Sequence, residues 1–170
     1  MKPVLETPRL RLRELNAGDA PFILRLVNDP LFLRFVGDRG VRTVEDARGY
    51  LERGPLTSYA QHGFGLWHVG VKSTGEAAGI CGLLKREVLA DVDVGFAYLP
   101  EHSGQGYATE AAQATVQHGY AQLGLKRIVA ITAPENTASQ NVLRKIGLRH
   151  TQTIRLPAYT GDSFLFTPAE

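Results

Sequence analysis

The sequence predicts an α/β domain built on a mixed, mostly antiparallel sheet, and two observations carry this prediction. Three stretches of β-forming residues follow one another between Phe64 and Tyr98 with short connections, which favours antiparallel pairing. A glycine turn and a helix then lead to another apolar stretch, Arg127–Thr132, and a strand–helix–strand unit of this kind pairs its strands in parallel. The 170 residues suffice for one sizeable core, so a single domain over residues 1–170 is expected.

The N-terminal third is predicted to hold one strand followed by helices. Apolar and charged residues alternate over Arg9–Leu15, as in a half-buried strand. Apolar residues at helical spacing follow in Phe22–Val27, and Asn28-Asp29-Pro30 ends that helix. Thr43 caps another helix, which Gly54-Pro55 is expected to interrupt.

The rest of the chain is predicted to begin with a hairpin. Its strands are Phe64–Val71 and Ala77–Leu84, and Gly79 and Gly82 in the second strand are candidate bulge positions. The later predicted elements are a strand from Asp93, a helix at Ala108–Gly124, the strand Arg127–Thr132, a helix at Ala138–Ile146, and strands at Leu148–Leu156 and Ser163–Thr167.

The stretch Asp93–Ala112 predicts an anion site, because H-S-G-Q-G at positions 102–106 lies between a strand and a helix. The first N–H groups of a helix have no internal partner, and the helix dipole favours negative charge there. Gly104 and Gly106 would let a phosphate approach the backbone, so the turn predicts a ligand with a diphosphate. Thr109 stands where a dinucleotide fingerprint has its third glycine, which disfavours NAD.

Composition and charge argue against several other classes of protein. A net charge of +2 without a basic block gives no footprint for nucleic acid. The single cysteine, Cys81, excludes an internal disulfide and a cysteine-rich metal site, and the five histidines show no metal-binding spacing. No apolar run has the length of a membrane span or an N-terminal signal. We therefore expect a cytoplasmic protein with no metal and no nucleic-acid or membrane partner.

Several segments resemble one family. L-P-E-H-S-G-Q-G-Y-A-T-E-A-A at positions 99–112 and R-I-V-A-I-T-A-P-E-N-T-A-S-Q-N-V-L-R-K-I-G-L at 127–148 resemble the GNAT superfamily of acyl-CoA-dependent N-acyltransferases. T-P-R-L-R-L-R-E-L at 7–15 and G-F-G-L-W-H-V at 63–69 resemble more narrowly its Rim-type (RimJ/RimL-like) branch, which acetylates ribosomal-protein N-termini and includes relatives with other amine substrates. The resemblance covers nearly the whole chain.

The resemblance implies the GNAT fold and an acetyl-CoA site. The fold is a twisted, mostly antiparallel sheet of about seven strands with a β-α-β acyl-CoA-binding core and flanking helices. The backbone of Gly95, Phe96 and Leu99 would pair with the pantetheine arm like an added strand. Asn136 matches a loop asparagine that meets the pantetheine amides, whereas Glu101 departs from the Arg or Gln that begins the family's phosphate motif. Amides expected to cradle the CoA diphosphate belong to His102, Ser103, Gly104, Gln105, Gly106, Tyr107 and Ala108.

Acyl transfer to an amine also needs an oxyanion donor and a proton or a hydrogen bond for the leaving thiolate. By resemblance, the donor lies near Phe96 or Ala97. Ser139 matches the position beside the CoA sulfur and is the candidate acid. A tyrosine that serves as the acid in many family members is missing, because Val142, Leu143 and Arg144 occupy its region.

The predicted general base is Asp93, on the strand beside the thioester, with Asp91 and His68 as alternatives. Direct attack by the amine in a ternary complex is the implied mechanism. Two other functions remain: a catalytically weak GNAT domain that binds acyl-CoA as a sensor or interaction module, and an unrelated nucleotide binder.

The sequence does not identify the amine acceptor. A protein N-terminal α-amine and a small-molecule amine both fit. Leu31–Tyr59 and Arg155–Asp162 are expected to shape its site. Five arginines in the first of these segments are consistent with an acidic acceptor or with ordinary surface solvation. A homodimer is also compatible with the sequence.

Overall fold

A computed structural model of the chain describes residues 2–169, whose strands and helices are as follows. The strands are β1 Leu5–Glu6, β2 Leu10–Glu14, β3 Leu66–Val71, β4 Ala77–Leu84, β5 Val92–Tyr98, β6 Ile128–Thr132, β7 Leu148–Ile154 and β8 Ser163–Pro168. The α-helices are α1 Ala20–Val27, α2 Pro30–Phe35, α3 Val44–Leu51, α4 Thr57–His62, α5 Tyr107–Ala121 and α6 Thr137–Lys145.

The strands of residues 2–169 form one sheet of eight, in the order β1-β2-β3-β4-β5-β6-β8-β7. Neighbours pair antiparallel except β5 and β6, which are parallel and are connected through α5. The predicted mixed α/β class is thereby confirmed. The count of about seven strands was one short, because Leu5–Glu6 pairs with Leu12 and Arg11 as an additional short strand.

Apolar side chains cover both faces of the sheet, as the two adjacent residues Ile80 and Cys81 of β4 illustrate. Successive side chains of a strand point to opposite faces. Ile80 packs in a cluster with Ile23 and Leu26 of α1, while Cys81 packs in a second cluster with Ala111 of α5. The sheet is therefore a middle layer that carries helices on each side.

Two expectations about glycines need correction. Gly54-Pro55 does not interrupt the helix, because a π-helical segment, Glu52–Leu56, continues α3 into α4. The register between β3 and β4 shifts opposite Gly79 but not at Gly82. Gly82 has a different role: a Cβ there would lie 2.0 Å from the carbonyl oxygen of Gly65, so the close approach of the backbones requires glycine.

The helices within residues 2–169 include none that is long and apolar enough to cross a membrane.

Candidate active site

The main feature of the sheet is a gap where its parallel pair of strands separates. β5 and β6 are in register only at Val92 with Ile128 and at Asp93 with Val129. From Ala130 onward, β6 no longer pairs with β5, while its opposite edge pairs with β8. The remainder of β5, residues 94–98, therefore has no strand beside it on the β6 side.

This gap opens into a cleft of about 1320 Å³. Its walls are β5, the end of β6 with the start of α6, the segment from α2 to α4, and the loop between β7 and β8. The two segments expected to shape the acceptor site, Leu31–Tyr59 and Arg155–Asp162, thus both contribute to the lining. Predicted site residues that line the cleft are Asp93, Gly95, Phe96, Ala97, Asn136 and Ser139.

The backbone of β5 presents only alternate residues to the gap. The Leu99 N–H donates to the Ala78 carbonyl at 2.9 Å, so it is directed to β4 and is not available to a pantetheine arm. Hydrogen bonding in an antiparallel pair alternates along the strand, which places Ala97 and Gly95 on the β4 side as well. The prediction for Leu99 and Gly95 is corrected accordingly: Phe96 and Tyr98 are the residues whose backbone faces the gap.

The glycine turn lies beyond the end of β5, outside the cleft lining. Gly104 and Gly106 have φ values of 77° and 83°, a left-handed conformation that favours glycine. The His102 and Ser103 N–H groups donate to Leu99 and Pro100, at 3.0 and 3.1 Å, and are not available to a phosphate. The set of amides that can bind a phosphate is therefore smaller than predicted. Within residues 2–169, the backbone N–H groups from Gly104 to Thr109 have no hydrogen-bond acceptor and remain available.

Three side chains from the N-terminal segment and α5 fix the start of that helix. The Glu110 carboxylate accepts hydrogen bonds from the Thr7 hydroxyl, from the Arg9 N–H at 3.0 Å, and from Arg9 Nε at 2.7 Å. Arg9 Nη1 donates to the Gln105 carbonyl at 2.8 Å, and its guanidinium lies 4.7 Å from the centre of the Tyr107 ring. Arg9 therefore places a cation against the unpaired amides of the turn.

Glu101, the departure from the phosphate motif, forms an ion pair with Arg25 of α1. The guanidinium offsets the negative charge that Glu101 brings near the turn. This arrangement explains how a carboxylate is tolerated beside a predicted phosphate site.

At the start of α6, Asn136 is the helix cap, with its side-chain oxygen accepting from the Ser139 N–H at 3.2 Å. The Ser139 side chain is half-buried at the cleft wall. Its hydroxyl makes no hydrogen bond with any residue in the described range. The Ser139 Oγ is thus available to a ligand in the cleft.

Asp93 is buried, with 1% of its side chain exposed. It is held by Arg86, whose Nε donates to Oδ1 at 3.0 Å, and Arg86 Nη1 donates to the Tyr159 hydroxyl at 3.1 Å. Burial raises the pKa of the Asp93 carboxyl above its ordinary value, and the Arg86 guanidinium opposes that rise. Arg86 thereby connects β5 to the loop between β7 and β8.

The two alternative bases lie away from the cleft. Asp91 forms an ion pair with Arg127 at 3.3 Å. His68 is buried on β3, edge-on to Phe22, and burial lowers its pKa. Of the three candidate bases, the structure brings only Asp93 into the cleft lining.

Sequence reasoning missed three residues of the cleft: Arg86, Tyr159 and Thr132. The Thr132 hydroxyl, at the end of β6, is buried without a hydrogen-bond partner in the described part of the chain. An unsatisfied buried hydroxyl is costly, so Thr132 is a candidate ligand contact; the Tyr98 hydroxyl is unsatisfied in the same part of the chain. Thr132 lies in a segment that carries the family resemblance and Tyr159 in a loop expected to shape the acceptor site, but no signal in the sequence singled out these two residues or Arg86.

The chain matches known proteins over most of its length. The family model described as Acetyltransferase (GNAT) domain matches residues 9–149. Uncharacterized protein YkkB of Bacillus subtilis (strain 168) is 30% identical over 157 residues, which cover 91% of this chain and 90% of YkkB. Uncharacterized N-acetyltransferase YoaA of the same organism is 29% identical over 163 residues, covering 94% of this chain and 90% of YoaA. Spermidine N(1)-acetyltransferase of Escherichia coli (strain K12) is 25% identical over 139 residues, 81% of this chain and 72% of that enzyme.

Solved structures share the fold. The acetyltransferase from Agrobacterium tumefaciens str. C58 superimposes with a TM-score of 0.82 at 25% identity, covering 100% of this chain and 96% of that one. RimL, a ribosomal L7/L12 alpha-N-protein acetyltransferase in complex with coenzyme A, gives a TM-score of 0.82 at 17% identity, covering 98% and 97% of the two chains. At that identity the likeness to RimL concerns the fold alone.

Proposed function

The chain belongs to the GNAT acetyltransferase family, and on this basis we propose that it moves an acetyl group from acetyl-CoA to a primary amine in the cleft beside β5. One observation carries the proposal: β5 separates from β6 and leaves an unpaired strand edge that leads to the unpaired amides at the start of α5. An unpaired strand edge can take an extended ligand, and a helix start can take its phosphates.

The residues present fit acetyl-CoA in three places. The N–H groups from Gly104 to Ala108, with Arg9 beside them, would hold the diphosphate. The backbone of Phe96 and Tyr98 would pair with the pantetheine amides, together with the Asn136 side chain. The buried hydroxyl of Thr132 would gain a partner in the same region. No cluster of metal-binding side chains occurs in residues 2–169.

Acetyl-CoA supplies a thioester, whose carbonyl carbon is open to direct attack by a neutral amine. About a tenth of a typical α-amine is already neutral at pH 7. Asp93 accepts the amine proton, directly or through a water, and its raised pKa favours that role. The Phe96 N–H donates to the developing oxyanion. As the carbon–sulfur bond breaks, the Ser139 hydroxyl donates a hydrogen bond to the leaving thiolate, which takes up a proton from solvent while Asp93 releases the amine proton to solvent.

Within the family, we place this chain in the Rim-type branch, on its T-P-R-L-R-L-R-E-L and G-F-G-L-W-H-V segments. Either a protein N-terminus or a small amine suits that placement. The matched proteins include RimL, named for a protein N-terminus, and a spermidine N(1)-acetyltransferase, named for a small amine.

The test is release of free CoA from acetyl-CoA with a panel of acceptors: peptides with free Ala, Ser or Met N-termini, polyamines, amino acids and aminoglycosides. We expect turnover with at least one acceptor and thermal stabilisation by CoA but not by ATP or NAD. Activity on small molecules alone would refute the N-terminal assignment. Stabilisation by CoA without any turnover would favour an acyl-CoA-binding module instead.

A further inference from the structure

The five arginines of the segment Leu31–Tyr59 fall into two groups. Arg42 pairs with Asp38 and Arg48 pairs with Glu45, and neither arginine lines the cleft. The other three, Arg34, Arg39 and Arg53, line the cleft, and none has a carboxylate partner among the described residues. Ordinary surface solvation does not explain why the unpaired arginines are those that face the cleft.

The cleft carboxylates do not balance these cations. Asp93 forms an ion pair with Arg86 at 3.0 Å, and Asp162 forms one with Arg155 at 3.0 Å. Asp38 is paired with Arg42. Glu135 is the one lining carboxylate for which residues 2–169 provide no ion pair, and it lies beside Asn136 on the donor side. An excess of positive charge therefore remains where Arg34, Arg39 and Arg53 line the cleft, which we call the acceptor side.

The surroundings of two of the unpaired arginines show where they lie. Arg53 lies over Gly49, where an added Cβ would be 2.7 Å from Arg53 Nη1. Arg39 lies in a turn in which Asp38 accepts a hydrogen bond from the Gly40 N–H at 2.8 Å. Tyr50, Tyr159 and Arg86 line the same cleft as these arginines. Arg39 therefore shares one cleft with Asp93 and its partner Arg86.

The phosphates of acetyl-CoA do not account for this charge. The turn that would hold them follows the C-terminal end of β5, whereas Asp93 and Arg86 are at its N-terminal end. A strand of this length spans about 20 Å, and the turn lies outside the cleft lining to which Arg39 and Arg53 belong, so the anions of the donor are bound apart from these arginines. The cations near Asp93 need a different anion.

We infer that the amine acceptor carries a carboxylate close to its reactive amine, recognised by Arg39 and Arg53. This inference rests on the proposed acetyl transfer and names the acceptor class of the same site. A cleft with excess positive charge repels a polyamine. It also disfavours protonation of the bound amine, which leaves more of it in the reactive neutral form.

Three peptides that differ only after a shared N-terminal serine test the inference: Ser-Glu-Glu, Ser-Gln-Gln and Ser-Lys-Lys, each followed by the same neutral residues. The expected kcat/KM is about tenfold higher for the acidic than the neutral peptide, with the basic peptide lowest. Free glutamate and glutamine, assayed alongside, distinguish a small acceptor from a peptide. The preference should shrink in added salt, because these arginines are exposed.

Variants assign the preference to the two arginines. Arg39→Gln and Arg53→Gln are each expected to lower kcat/KM for the acidic acceptor severalfold and to leave KM for acetyl-CoA unchanged. Arg48→Gln, which removes a paired arginine outside the cleft, should leave both values unchanged. Equal rates for the three peptides, or a preference for the basic one, would overturn the inference while leaving acetyl transfer intact. No turnover with any acceptor would overturn both.

Discussion

Ser139 and Asn136 occupy one turn at the start of α6, and the cap is what aims the serine. Because Asn136 accepts from the Ser139 N–H, the first turn is fixed and the Ser139 hydroxyl is left at the cleft wall. Because the family tyrosine is missing, Ser139 is the candidate to donate a hydrogen bond or a proton to a leaving thiolate.

Ser139→Ala is therefore expected to lower kcat by about 10- to 100-fold while changing KM for acetyl-CoA by less. Steady-state kinetics with acetyl-CoA varied at saturating acceptor measure this. Thr137→Ala, an exposed change in the same turn, is the matched control and should leave kcat near the original value. An unchanged kcat in Ser139→Ala would remove Ser139 from the chemistry.

Thr132 gives a prediction in which stability and binding change in opposite directions. Its buried hydroxyl has no partner in the described chain, so Thr132→Val removes an unsatisfied group and keeps the shape. We expect stability to stay equal or rise by up to about 1 kcal/mol, and KM for acetyl-CoA to rise severalfold. Thr115→Val is the control, because Thr115 is buried but contacts Cys81, at 3.5 Å, and lies outside the cleft. A clear loss of stability with an unchanged KM in Thr132→Val would contradict the assignment.

At the scale of elements, the start of α5 depends on a clamp from the N-terminal segment. Burial alone would raise the pKa of Glu110, but hydrogen bonds from Thr7 and Arg9 outweigh burial and lower that pKa below its usual value. A carboxylate with a lowered pKa stabilises the fold above its unfolded pKa, and this contribution is lost as the pH falls through the folded value.

Glu110→Gln is accordingly expected to cost about 1–2 kcal/mol at pH 7, with the deficit shrinking as the pH falls below the ordinary glutamate pKa of about 4.3. Urea unfolding at several pH values measures the difference from the unsubstituted chain. Glu45→Gln, which removes an exposed partner of Arg48, should change stability by less than about 0.5 kcal/mol at any pH. A Glu110→Gln deficit that stays constant with pH would contradict this role for the carboxylate.

The elements that the sequence predicted well are those with local signals. β4 has the predicted bounds, Ala77–Leu84, and the glycine turn is followed at once by α5, as expected. The continuation of α3 into α4 was not predicted, because the local sequence Gly54-Pro55 is typical of a helix break. A π-helical turn accommodates these two residues without ending the helix. A tertiary context, in which Pro55 is buried, overrides the local preference there.

At the scale of the whole molecule, the antiparallel succession of β3, β4 and β5 and the parallel β5–β6 pair followed from the pattern of the sequence. The position of β8 between β6 and β7 and the separation of β5 from β6 did not. From Ala130 onward β6 pairs with β8 on the edge opposite β5, and this is a contact between distant segments. The buried pair of Arg86 and Asp93 was missed for the same reason. Asp93 itself was identified from its strand position, without any sign that Arg86 would hold it.

The central claim is that acetyl-CoA lies along the free edge of β5 with its phosphates at the start of α5. Amide hydrogen exchange with and without CoA tests this most directly. We predict added protection in residues 94–98 and 104–109, with residues 30–40 on the acceptor side unchanged. Protection that is absent from both segments, or that is confined to residues 30–40, would contradict the claim.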